Sequence, residues 1–84
     1  MNKENKNAME KFPIRAYSKK ELALKYFPDS NPHAAVRHLM SWVNRCSALY
    51  AQLLEVGYVK SSKGLSPREV RLIVEHLGDP EQYL

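Results

Sequence analysis

The side chains of this sequence that could do chemistry by type are three histidines, His33, His38 and His76, and one cysteine, Cys46. A shared metal or an acid-base pair on one helix needs partners three or four residues apart, so that both project from the same face. His33 and His38 are five apart, which separates them by about 140° on a helix turning ~100° per residue. His76 stands in another segment, beside Glu75 and close to Asp79. All three are read as surface or hydrogen-bonded histidines, and no metal or cofactor is implied. Cys46 falls towards the apolar side of its helix and reads as a buried structural thiol rather than a nucleophile. Gly57, Gly64 and Gly78 are too dispersed to form a phosphate-cradling loop. The expectation is a protein that is not an enzyme.

A different chemistry is written in the charges. All 13 Lys and Arg lie within residues 1–71 against six acids, and residues 72–84 carry three acids and no Lys or Arg. Between Ser30 and Leu54 there is no Asp or Glu, whereas His33, Arg37, His38 and Arg45 all fall there. An acid-free stretch of this kind suits an anionic partner. Arg37, His38, Ser41, Asn44 and Arg45 are donors of the kinds that read guanine, adenine or phosphate in double-stranded DNA. Lys19, Lys20, Lys60 and Lys63 are candidate phosphate contacts, which position a protein on the duplex without reading sequence. The same residues also fit an ordinary amphipathic helix with a solvated basic face. A second class stays open, a non-catalytic protein-interaction or adaptor module. Leu72 sits off the Val70, Ile73, Val74 and Leu77 stripe, and with Tyr83 and Leu84 it would give the C-terminal helix an apolar patch for a partner or a second copy.

These residues need elements to carry them. Ser18 and Glu21 form an S-x-x-E capping box, with Tyr17 and Leu22 at the two hydrophobic-staple positions, so a first helix starts at Lys19. Pro28 forces Phe27 out of helical geometry, and Asp29, Ser30 and Asn31 make a polar turn. Asn31 then caps a second helix with Pro32 in its first position. Its wheel gathers Ala35, Val36, Leu39, Met40, Trp42 and Val43 on one side and His33, Ala34, Arg37, His38, Ser41, Asn44 and Arg45 on the other. One helix over residues 32–56 fits the pattern. A break near residues 44–47, with Ser47 capping a new start, is preferred, because Asn, Cys and Ser are weak helix formers. Gly57 closes this stretch, and a loop over residues 58–64 carries Lys60 and Lys63 at its tip. Ser66, Pro67 and Glu69 then repeat the capping device, Leu65 staples to Val70, and the last helix runs to about Leu77, where Gly78 stops it.

With 84 residues there is one modest core and no second domain. Residues 1–11 read as a disordered arm, 12–80 as one helical domain and 81–84 as a tail. The expected fold is all-α, three or four helices with a helix-turn-helix-like layout and Trp42 at the centre. It leaves room for a small two-stranded ribbon joining residues 14–16 to the segment near Tyr58 and Val59. A lone cysteine forms no internal disulfide, residues 1–11 hold no signal-like apolar run, and no stretch reaches the ~20 apolar residues of a membrane span. The cytoplasm is the expected compartment.

Two resemblances follow from the residues. Lys20-Glu21-Leu22-Ala23 is similar to the first helix of helix-turn-helix motifs, in which an alanine lets the second helix approach closely. The turn departs from that motif, with Phe27 where a glycine is usual and an extension through Pro28 to Asn31. The order of helices, Gly57-Tyr58 junction and basic loop resembles winged helix-turn-helix domains of the excisionase and MerR-like sort, which implies DNA binding through the second helix. More specifically, residues 12–23, Tyr26-Phe27-Pro28, Leu39, Trp42, Gly57-Tyr58 and residues 66–73 resemble the small bacterial family known as domain of unknown function four-two-four-eight. That resemblance covers about residues 12–80 and implies a compact domain without implying an activity.

Overall fold

The first and last helices begin at reciprocal hydrogen bonds that the sequence spells out. In the computed structural model, which describes residues 12–80, β1 is Tyr17–Ser18 and α1 is Lys19–Tyr26. Ser18 Oγ accepts from the Glu21 N–H at 3.0 Å, and Glu21 Oε1 accepts from the Ser18 N–H at 2.9 Å. The same pair of bonds, between Ser66 and Glu69 at 3.2 and 2.7 Å, opens the last helix, α4, at Pro67–Leu77. Each box satisfies two donors, one of them a first-turn amide that the helix itself leaves unpaired. Asn31 Oδ1 accepts from the Ala34 N–H at 2.9 Å and opens α2, Pro32–Arg45. Residues 1–11 and 81–84, expected as arm and tail, lie outside the described residues.

The helical stretch does break after α2, and α3 follows at Ser47–Glu55. The cap is Cys46, not Ser47 as the sequence reading expected. Cys46 is extended, its N–H still donates to Trp42 O at 3.2 Å and Val43 O at 3.3 Å, and its carbonyl accepts from the Tyr50 N–H at 2.9 Å. One extended residue thus serves both helices, so Ser47 is already helical. Gly57 ends the stretch at φ +95°, a backbone conformation that costs an L side chain about 1–2 kcal/mol.

A two-stranded ribbon is present, but its partners differ from those expected at residues 14–16 and near Tyr58 and Val59. β1 pairs antiparallel with β2, Gly64–Leu65, in the register Tyr17 to Leu65 and Ser18 to Gly64. The Lys19 N–H continues it by donating to Lys63 O at 2.8 Å. The reason is burial. This register carries Tyr17 and Leu65 into the core, whereas Ile14 and Val59 stay exposed. Phe12 stacks on Tyr17 with ring centroids 5.4 Å apart, and the Arg15 guanidinium lies 3.8 Å from the centre of the same ring.

The core is built from all four helices: Leu22 and Ala23 of α1, Ala35, Leu39 and Val43 of α2, Leu49 and Leu53 of α3, and Val70 and Ile73 of α4. Trp42 is not at its centre. It is half-buried at the α1–α2 corner, in edge contact with Phe27 at 4.8 Å and Tyr26 at 6.2 Å, because Leu39 and Val43 take the inward positions of α2. Leu72, expected in an exposed patch, is half-buried and packed against the core. The chain ends of the domain are tied together by Tyr26, whose hydroxyl donates to Gly78 O at 2.6 Å.

Candidate nucleic-acid interface

α2 is amphipathic in the way its wheel required. Ala35, Leu39 and Val43 are at most 1% exposed, and His33, Arg37, His38, Asn44 and Arg45 face solvent, with Ser41 half-buried between them. At ~100° and ~1.5 Å per residue, His33, Arg37, Ser41 and Asn44 fall within an arc of about 80°, and the face runs roughly 18 Å from His33 to Arg45. Arg45 and His38 stand at its shoulder. No acid occurs on α2. α1 braces the opposite face, and fully buried Ala23 adds almost no bulk between the helices.

The candidate residues divide by what already holds them. His38 is not free-standing, because its ring lies against Phe27 at a centroid distance of 5.3 Å. The Lys19 ammonium donates to Lys60 O at 2.8 Å and sits 5.1 Å from the centre of the Tyr58 ring, so it anchors the loop to α1. Lys60 contributes that carbonyl and keeps an exposed side chain. Lys20 and Lys63 meet instead at a groove of about 470 Å³, lined also by Ser18, Lys19, Pro32, His33 and Val36. This groove joins the loop tip to the N-terminal turn of α2, where the positive end of the helix dipole favours anions. The closest acid in sequence, Glu21, is occupied by the Ser18 amide. Arg37 and Arg45 have exposed side chains, and no other described residue holds either guanidinium.

Two things were missed from the sequence. His33 belongs to the groove, and its place directly after the capping Asn31 and Pro32 was the signal that could have found it. Cys46 is half-buried rather than fully buried; it packs against the core, and its sulfur also lies 3.8 Å from His76 Nδ1. No sequence spacing announces a contact between residues 30 positions apart. Among the described residues no three His, Cys, Asp or Glu side chains gather to hold a metal ion, and no helix is long and apolar enough to cross a membrane.

No curated protein and no solved structure matches the chain. A family model does match, over residues 13–80, which includes both capping boxes, the whole of α2 and the basic loop. The chain therefore belongs to the family described as domain of unknown function (DUF4248).

Proposed function

We propose that this domain binds double-stranded DNA, with α2 as the element that enters the major groove. The observation that carries the reading is the acid-free outward arc of α2, continuous at its N-terminal end with a groove lined by Lys20, Lys63 and His33. In such a placement Asn44 reaches a base edge with Ser41 beside it, Arg37 spans a base edge and the adjoining phosphate with its five donors, Arg45 takes a further phosphate, and Lys20 and Lys63 sit on phosphates at the other end of the face. Lys19 and Lys60 hold the loop in position.

The test is a fluorescence-anisotropy titration of a labelled mixed-sequence duplex of about 20 base pairs at low salt. Binding in the range ~10⁻⁴ to 10⁻⁶ M that weakens with salt is expected even without the specific site. No change in anisotropy up to about 10⁻⁴ M protein, the weak end of that range, would count decisively against the proposal. The competing reading, a protein or second copy docking on the C-terminal helix, has lost the exposed leucine on which it leaned, since Leu72 is packed.

A further inference from the structure

The groove between the loop and α2 has more in it than a contact to a DNA phosphate requires. Lys19 and Lys20 of α1, Lys63 of the loop and His33 of α2 line it, together with Ser18, Pro32 and Val36, and no carboxylate is among them. The Lys19 ammonium donates to the Lys60 carbonyl and faces the Tyr58 ring, both neutral, so its charge is not cancelled. No other described residue pairs with the ammonium of Lys20 or Lys63. Converging lysines without a carboxylate suit a ligand that brings close to two negative charges, as a phosphomonoester does near neutral pH.

The rim is assembled by main chain. The Lys19 N–H donates to Lys63 O at 2.8 Å and Lys19 Nζ to Lys60 O at 2.8 Å, which pins the loop to α1 at two points. Ser62 Oγ accepts from the Gly64 N–H at 3.2 Å and closes the turn that carries Lys63. Only the lysine side chains are left to be ordered by a ligand, which lowers the cost of binding. The floor is apolar. Pro32 and Val36 stand four residues apart and so share one face of α2, and Val36 is half-buried against the core. A DNA strand on the rim presents phosphates to the lysines and has nothing to lay on that floor. The space of about 470 Å³ lies within the roughly 300–1,000 Å³ of small-molecule sites. A flat ring would cover Pro32 and Val36, and since neither side chain offers a hydrogen bond, no particular ring is selected.

We propose that this groove binds a small phosphomonoester carrying a flat ring, a nucleoside 5′-monophosphate in class, with the phosphate on Lys20 and Lys63 and the ring on Pro32 and Val36. Because the DNA reading places the same two lysines on phosphates, the bound molecule displaces DNA from that end of α2. This consequence rests on the DNA reading; the binding itself does not.

The probe is adenosine 5′-monophosphate, titrated calorimetrically into the full chain in phosphate-free buffer with no DNA present. Saturable one-to-one binding is expected with Kd on the order of 10⁻⁵ to 10⁻⁴ M, which the usual contribution per atom of a small ligand allows. Adenosine and inorganic phosphate should each bind about tenfold or more weaker, because each lacks one half of the contacts. Lys20→Gln combined with Lys63→Gln should weaken the nucleotide about tenfold or more, with the circular dichroism spectrum unchanged. Arg45→Gln combined with Arg71→Gln removes as much charge from exposed positions that do not line the groove. That pair should leave the affinity within about twofold at ~0.1 M salt, where distant exposed charges are screened. No saturable binding up to ~1 mM nucleotide, or equal losses in the two double variants, overturns the proposal. Inorganic phosphate binding as tightly as the nucleotide overturns the place of the ring on the floor. In a separate duplex titration, saturating nucleotide should weaken DNA binding about tenfold beyond the effect of matched sodium chloride; an unmoved affinity overturns the shared use of the lysines. A nucleotide that binds while no duplex does refutes the DNA reading alone, and the reverse result refutes this site alone.

Discussion

Replacing Arg37 and Arg45 together by glutamine separates the DNA-reading face from a merely solvated one. Both side chains are exposed and held by no other described residue, and glutamine has nearly the helix propensity of arginine, so folding stability should change by less than about 1 kcal/mol. Binding should change a great deal. Lys20, Lys63, Arg37 and Arg45 give four candidate phosphate contacts, hence a slope of log affinity against log salt near −3.6 at ~0.9 per contact. Raising salt from ~50 to ~200 mM should then cost the wild type roughly 150-fold in affinity and the double variant, with two contacts left, only about 12-fold. At the lower salt the variant should already bind about tenfold or more weaker, because two charge-assisted bonds are gone. Anisotropy titrations of one duplex across a salt series measure all of these. Equal affinity in the two proteins would refute the assignment of α2. A fall in affinity with an unchanged slope would mean that the arginines act through folding or shape rather than on phosphate.

Two further outcomes test how the domain is held together. Tyr26→Phe removes the 2.6 Å hydroxyl bond to Gly78 O and should cost about 1–2 kcal/mol in urea unfolding, since the carbonyl loses its partner in a part-buried place; no measurable change would mean that water replaces the bond freely. Gly57→Ala meets no steric obstacle within 4 Å but must adopt φ +95°, so a loss of about 1–2 kcal/mol in thermal or urea unfolding is expected from backbone conformation alone.

What the sequence made legible was whatever hydrogen bonds close to home decide. Ser18 with Glu21, Asn31 with Ala34 and Ser66 with Glu69 are each three residues apart, and the helix starts they predict are those observed. The outward face of α2 was equally readable, because a regular helix converts spacing into direction. Pairings through space were not. The ribbon was placed at residues 14–16 although burial of Tyr17 and Leu65 selects the next segment along. Trp42 lies on the apolar side of its helix, but Leu39 and Val43 fill the interior before its larger ring can. Lys19 has the right charge for a phosphate contact and is spent on the Lys60 carbonyl. The approach of His76 to Cys46 depends on how α4 lies against the α2–α3 junction, which no local pattern encodes.

The bond from Tyr26 to Gly78 spans 52 residues, and the ribbon joins Tyr17 to Leu65. For a chain emerging from a ribosome this has a consequence. α1, α2 and α3 appear first, with Leu22, Leu39, Leu49 and Leu53 unable to close their core until Val70 and Ile73 of α4 arrive. Contacts this distant in sequence delay folding, and the apolar surface waiting for them is open to aggregation or to chaperones meanwhile. Arrested nascent chains ending before α4 should therefore be protease-sensitive throughout, and protection should arise in a single step once α4 has cleared the exit tunnel.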